Sequence, residues 1–339
     1  MGDVIHTLPA ITDAKKHCPE LMIDWIVEED FQEIAKWHPA VNQVIPVALR
    51  RWRKNWFKSL RSDEFKQFKK RINEIPYDFI LDAQGLLKSA ALLFLLKGKK
   101  VGMDFRSARE PAATLFYQKK LAVEKDQHAI DRVRDLFAKA FGYAITNPVP
   151  QYGLKAFDID LPMDLHEPYV VFLHGTTWAT KHWPEIYWQQ LAEMFKQTEY
   201  KIYLPFGNDI EKARAEKIAA HNPKAEVLPK LNLNQLAATL SKAKGIIAVD
   251  TGLGHLSAAV DTPTVSIYGA TDPQKIGTRG AAQIHLMGDF PCSPCLKREC
   301  TYPEKLAVSP ACYTKIPPSQ VYAEFIKLIQ TTTIVVPIS

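Results

Sequence analysis

At 339 residues, 47% hydrophobic and 24% charged, the chain has the composition of a folded globular protein of one large or two ordinary domains, which excludes a disordered or fibrous one. A formal net charge of +6 permits attraction to anionic lipid or nucleic acid without selecting either. No apolar run reaches the roughly 18 residues that suggest a membrane span, and no basic region leads into an apolar signal core, so neither a spanning nor an exported protein is expected.

The chain opens on "MGDVIHTLPAITDAKK", where Val4, Leu8 and Ile11 mark one face of a helix over 4–17. A doubly wound domain normally opens with a strand. Asp3 therefore falls where a strand-to-helix loop is expected. The natural chain is expected to begin about ten residues upstream of Met1, with an apolar strand and a short polar turn. Strands are predicted over 21–27, 44–47, 79–81 and 101–103, with helices near 31–36, 86–96 and 129–141. This alternation predicts a parallel sheet covered by helices.

Within this half, "RRWRKNWFKSLR" is unusual. Written as a helix, it lines up Arg50, Lys54, Lys58 and Arg61 in one stripe, with Trp52 and Trp56 in a neighbouring one. Cations beside interfacial aromatics suit an anionic lipid headgroup. The ordinary alternative is a solvated amphipathic helix. Nucleic acid ranks lower, because no nucleic-acid motif accompanies the run.

Residues 147–168 carry Pro148, Pro150, Pro162 and Pro168 with little periodicity and are predicted to link two domains. Alternation then resumes. Strands are expected over 169–174, 201–205, 226–228, 245–250 and 264–268. Helices are expected over 185–197, 210–221, 233–243 and 255–260, with a last helix over 319–329.

Polar residues gather at the carboxyl ends of these strands, where doubly wound folds bind ligands. Asp82-Ala83-Gln84-Gly85 follows "FIL", His174-Gly175-Thr176-Thr177 follows "VVFL", and Asp250-Thr251-Gly252 follows "IIAV". Gly252, Gly254 and the helix start after them suit an anion held by backbone N–H groups, with Thr251 adding a hydroxyl. A tight turn capped by Asp250 is the plainer alternative. Lys181, in "GTTWATKHWPEIYW", suits a diphosphate as a mobile point charge, or is a solvated loop lysine. G-x-G-x-x-G and Walker A patterns are absent, which removes the main support for nicotinamide and P-loop readings. Cys292, Cys295, Cys300 and Cys312 have a spacing that suggests a zinc site or a redox-labile loop, against plain free thiols.

Taken together, "MGDVIHTLPAITDA", "DWIVEE", "VIPVALRRWRKNWF", "DAQGLLKSAAL", "SARE", "KHWPE", "LPK" and "VDTGLGHLSAA" resemble the ADP-heptose:lipopolysaccharide heptosyltransferases, glycosyltransferase family 9. The closest resemblance is to members that add the first heptose. The resemblance implies a GT-B architecture of two Rossmann-like domains facing across a cleft, whose first strand is missing from this chain. Residues 1–155 would bind acceptor and 156–315 nucleotide sugar. Residues 316–339 would form a helix and tail packing back toward the first domain.

It also implies an inverting transfer of L-glycero-D-manno-heptose from ADP-L-glycero-β-D-manno-heptose to Kdo of Kdo-lipid A, without metal or other cofactor. Asp3 matches the general base. Thr176, Thr177, Lys181, Asp250, Thr251, Gly252, Leu253 and His255 match the donor site, with Lys181 meeting the charge of the departing diphosphate. Arg50, Arg51, Arg53, Lys54 and Arg109 match the acceptor side. A monomer is implied, on the cytoplasmic face of the inner membrane, touching its anionic surface and no nucleic acid. Action on an already heptosylated core, or an inactive lipopolysaccharide-binding paralogue, are the alternatives.

Overall fold

The computed structural model describes residues 1–155, 157, 159, 161–165 and 168–333. Residues 156, 158, 160, 166 and 167 of the expected link, and 334–339 of the expected tail, lie outside the described residues. The chain divides into two compact units, Asp3–Lys155 and Ala156–Ser339.

The first unit opens on helix α1 (Gly2–His17), which buries Ile5, Leu8 and Ile11. Asp3 sits in its first turn, and Lys15, Lys16 and His17 in its last, each sign matching the helix dipole. The helix starts earlier than its apolar face suggested, so Asp3 belongs to the helix rather than to a loop before it.

Strand β1 (Ile23–Glu28), helix α2 (Gln32–Lys36) and strand β2 (Val41–Val47) follow. The basic stretch is not one helix. It breaks into α3 (Leu49–Trp52), a 3-10 turn over Arg53–Asn55 and α4 (Trp56–Leu60). The cause is packing: Trp52 is 3% exposed and stacks edge-on against Phe65 and Phe68, while its indole N–H donates to Glu64 at 3.2 Å. Anchoring Trp52 inward separates it from Trp56, so the expected aromatic stripe does not form.

Helix α5 (Asp63–Arg71), strand β3 (Phe79–Leu81), helix α6 (Leu87–Leu92), strands β4 (Lys99–Met103) and β5 (Lys119–Leu121), and helix α7 (Ala129–Phe141) complete the unit. α7 stops at Gly142, whose φ of 78° is the left-handed conformation that closes a helix end. Its Val133 and Phe137 pack on Ala10, Ile11 and Ala14 of α1. Beside them the buried Arg134 donates to Asp13 at 2.7 Å and to the Asn147 carbonyl at 2.6 Å, so its charge is paired and its remaining N–H groups are used. All strand pairs are parallel, but they form two sheets, β1-β2 and β3-β4-β5.

The second unit contains β6 (Tyr169–Leu173), α8 (Glu185–Met194), β7 (Lys201–Leu204), α9 (Asp209–Ala219), β8 (Ala225–Val227), α10 (Leu233–Lys242), β9 (Gly245–Val249), α11 (Gly252–Ala259), β10 (Thr264–Tyr268), α12 (Pro273–Ile276), β11 (Gln283–Met287) and α13 (Pro318–Thr333). One parallel sheet has the order β11-β10-β9-β6-β7-β8. The strands β6, β9 and β10 are buried at every residue, as continuous apolar runs covered on both faces should be. α13 is part of this unit's core through Val321, Phe325 and Ile329. A side chain at Gly245 would meet the Phe325 ring at 2.7 Å, so the helix lies directly on the start of β9.

Candidate active site

Strand order in the second unit reverses between β6 and β9: β7 and β8 extend one way, β10 and β11 the other. In doubly wound sheets the loops leaving such a pair of strands diverge, and ligands bind in the crevice between them. Asp250 follows β9 and is 6% exposed. Its carboxylate accepts from Lys181 Nζ at 2.7 Å and from Thr271 Oγ1 at 2.5 Å. Its backbone carbonyl accepts from Thr176 Oγ1 at 2.9 Å. The segments after β6, β9 and β10 are thereby tied together at Asp250.

Lys181 is held from its other side by the face of Trp178, 4.6 Å from Nζ to the ring centroid. Arg298 lies over the same ring at 5.5 Å. An ammonium has three N–H donors, so the contact with Asp250 leaves Lys181 able to hold a second anion. The loop carrying it is fixed through Thr180, whose hydroxyl donates to the Lys297 carbonyl at 2.5 Å and whose carbonyl accepts from Tyr313 at 3.1 Å.

Thr251, Gly252 and Leu253 are partly exposed at the start of α11, and Gly254 and His255 are buried in its first turn. Thr251 makes no side-chain cap on the helix, so its hydroxyl is not spent there. Thr177 is exposed. Behind the Thr176 loop, His174 is 1% exposed, and burial, then the charge of Arg214, pushes its imidazole down to about 3. Arg214 donates to His182 Nδ1 at 2.8 Å, and His182 is likewise held below its ordinary value by burial and by that guanidinium.

In the first unit, Arg109 Nη2 donates to Asp3 Oδ1 at 3.0 Å. Arg109 comes to Asp3 because the loop after β3 is folded around Asp82. That carboxylate accepts from Tyr117 Oη at 2.6 Å, Ser89 Oγ at 2.9 Å and the amides of Gln84 and Gly85 at 2.9 and 3.3 Å. Gly85 has φ +64°, a side chain there would meet the backbone of Ala108 and Arg109 at 3.4 Å, and its carbonyl accepts from the Glu110 amide at 3.0 Å. A strand-end motif that reads as ligand-binding thus holds a neighbouring loop, and Asp82 is its organiser.

The five basic residues expected on the acceptor side separate in the structure. Arg51 is engaged by Glu29 at 3.0 Å and Glu64 at 2.5 Å, which raise its pKa further. Arg50 lies 3.6 Å from Asp30 and over the Phe31 ring at 5.1 Å. Arg53 and Lys54 are exposed, beside Trp56 at 47% and Phe57 at 80% exposure. Arg109 belongs with Asp3.

Cys292, Cys295, Cys300 and Cys312 are free thiols lining one cavity of about 160 Å³. Among the described residues no three His, Cys, Asp or Glu side chains are arranged to hold a metal ion. Of these thiols Cys292 and Cys300 are exposed and Cys295 and Cys312 partly buried. Burial, reinforced by the neighbouring thiols, pushes Cys312 up to about 11. The same segment supplies the Lys297 carbonyl that anchors Thr180.

Thr271, Trp178 and Arg298 belong to this site and were not singled out in the sequence. Thr271 had a signal, since it follows the apolar run of β10 after Gly269-Ala270. Trp178 and Arg298 had none, because their meeting depends on the return of a distant loop.

Among described residues no helix is long and apolar enough to cross a membrane. The chain is 49% identical over 331 residues to lipopolysaccharide heptosyltransferase 1 of Pseudomonas aeruginosa, covering 95% of this chain and 93% of that protein. Its fold matches the solved structure of E. coli heptosyltransferase WaaC with ADP, with a TM-score of 0.79 and 47% identity over 84% of this chain and 89% of that one. WaaC with ADP-2-deoxy-2-fluoro heptose matches with a TM-score of 0.78 and 45% identity, over 85% and 90%. The fold is accordingly of the GT-B class. The family model for glycosyltransferase family 9 (heptosyltransferase) matches residues 65–306, and with that the chain belongs to glycosyltransferase family 9, the heptosyltransferases.

Proposed function

We propose that the protein transfers L-glycero-D-manno-heptose from ADP-L-glycero-β-D-manno-heptose to a Kdo hydroxyl of Kdo-lipid A, with inversion at the anomeric carbon. The observation that carries this reading is the Lys181–Asp250–Thr271 cluster at the point where the second unit's strand order reverses. It is joined by the likeness to WaaC structures solved with ADP and with an ADP-heptose analogue.

The donor's diphosphate lies against Lys181, Thr176, Thr177 and the start of α11, with Thr251, Gly252, Leu253 and His255 around its sugar. Asp250 holds Lys181 in place. A Kdo hydroxyl oxygen attacks the anomeric carbon while the bond from that carbon to the diphosphate breaks. Asp3 takes the hydroxyl proton, and Lys181 meets the charge gathering on ADP. Arg109 fixes one carboxylate oxygen of Asp3; among described residues the other, Oδ2, accepts no hydrogen bond. A single displacement of this kind inverts configuration and needs no metal or cofactor.

Arg50, Arg53 and Lys54 attract the carboxylates and phosphates of the acceptor. The exposed Trp56 and Phe57 beside those cations suit shallow insertion at an anionic lipid surface, which supports action on the cytoplasmic face of the inner membrane, with the enzyme taken as a monomer.

Asp3→Asn tests the chemistry. Turnover with Kdo-lipid A is expected to fall about 10²–10⁴-fold, with KM for ADP-heptose within a few-fold. Near-normal turnover removes Asp3 as the base. Preference for a heptosylated acceptor moves the assignment to a later transfer, and no ADP release with either acceptor leaves a binding protein.

A further inference from the structure

Residues 293–298 follow β11 and are tied to both loops that meet at Asp250. Ser293 Oγ donates to the Gly269 carbonyl, and the Leu296 amide donates to the Ala270 carbonyl at 2.8 Å. Gly269 and Ala270 lead directly into Thr271. On the other side, the Lys297 carbonyl accepts from Thr180 Oγ1 at 2.5 Å and the Arg298 carbonyl accepts from the Thr180 amide at 3.2 Å. Thr180 is the neighbour of Lys181. Leu296 sits between these attachments in the left-handed region, at φ 56°, a conformation that a bulky side chain keeps only where its surroundings impose it. The segment is therefore a built wall of the Lys181 site.

Its two cationic side chains are spent differently. Lys297 Nζ turns back to Thr301 Oγ1 at 2.9 Å. The exposed Arg298 instead reaches Trp178, with Cζ 5.5 Å from the centroid of the ring that also meets Lys181 Nζ at 4.6 Å. One indole thus carries two cations. Asp250 offsets only Lys181, at 2.7 Å, and among described residues Arg298 has no carboxylate partner. Two like charges on one ring repel, and an anion that both can reach relieves that repulsion. A diphosphate carries more than one negative charge, so the Lys181–Asp250 pair, close to neutral, does not balance it. A guanidinium supplies the missing charge, and its planar fork of N–H donors fits two phosphate oxygens at once. We propose that Arg298 is a second cation of the donor site and binds the diphosphate of the nucleotide sugar together with Lys181. The assignment rests on the donor reading given above and adds to it a residue that no motif marks.

The test measures ADP binding by calorimetry to the unaltered chain, to Arg298→Ala and to Arg298→Lys, with adenosine measured in competition against ADP. Because the Arg298 side chain is exposed, all three are expected to share one circular dichroism spectrum. Arg298→Ala is expected to weaken ADP binding about 10–100-fold, the loss of a charge-assisted contact. Arg298→Lys is expected to weaken it less, since it keeps the charge and loses only the fork. Adenosine, which has no phosphate, is expected to bind all three equally. Unchanged ADP affinity in Arg298→Ala overturns the proposal and leaves the donor reading in place. Equal weakening of ADP and adenosine also overturns it, by making Arg298 a support of the whole nucleotide pocket. An unaltered chain that binds no ADP removes the donor reading itself, and the proposal with it.

Discussion

The two units use the same alternation of strands and helices and arrive at unequal sheets. In the second, six strands form one sheet whose β6, β9 and β10 are buried at every residue. In the first, five strands form two sheets, and no strand is buried along its whole length. The polar residues at the strand ends follow that difference. Asp250 is 6% exposed and tied to neighbouring strand ends. Asp3 and Arg109 meet at 3.0 Å with side chains 39% and 41% exposed. Charge placed before a reaction begins stabilises it only if the scaffold cannot relax away from it. A continuous sheet gives that rigidity to Lys181 and Asp250, while the rim of an interrupted one gives less to Asp3.

The largest effect that sharpens this contrast is catalytic. Lys181→Ala is expected to lower kcat about 10²–10³-fold, because the cluster around Asp250 cannot rearrange to supply another cation. Arg109→Ala removes one charge-assisted contact to Asp3, and a loss of about 10–100-fold is expected. Steady-state kinetics with the fold checked by circular dichroism decides the order. A larger loss for Arg109 than for Lys181 would reverse the comparison.

Core truncation tests the same contrast as stability. Ile247→Ala in β9 should cost about 2–5 kcal/mol, since its neighbours are held on all sides. Ile26→Ala in β1, partly buried beside a cavity of about 270 Å³, should cost about 1–1.5 kcal/mol. Denaturant unfolding that resolves the two units measures both. Equal costs would show the first sheet to be as tightly packed as the second.

A pH effect separates the units more gently. His174 in the second is held down at about 3, and His38 in the first at about 4, each by burial. His38 Nδ1 also accepts from the Ala40 amide at 3.1 Å, a bond that the protonated ring could not make. Both folded values lie below the ordinary 6.5, so the unfolded chain takes up protons first as pH falls. Stability is therefore full above about pH 6.5 and is lost as pH drops toward each folded value, by up to about 1.4 kcal/mol per pH unit per histidine. His174→Gln should flatten the fall in the second unit's Tm between pH 6.5 and 4. An unchanged slope would assign the acid loss to other groups.

By itself the sequence determined what depends on local pattern. Apolar runs of four or five residues ending in His, Asp or Gly marked β6, β9 and β10 and, in the segments after them, Thr176, Lys181 and Asp250, because a buried parallel strand must be continuously apolar and its end is where the chain turns polar. Two edge strands were not legible: β5, "KKL", and β11, "QIHLM", lack that continuity, since one side of each faces no further strand. Tertiary structure alone decided which basic residues are engaged. Trp52 and Trp56 have helical spacing, yet the core took Trp52, broke the helix and left Arg51 to Glu29 and Glu64. It also decided that Asp82 organises a loop while Asp250 holds a cation, although both follow a strand. The difference lies in what returns to each carboxylate, Tyr117 and Ser89 in one case and Lys181 and Thr271 in the other. Those partners come from elsewhere in the chain, and a contact between distant segments is fixed by packing rather than by spacing.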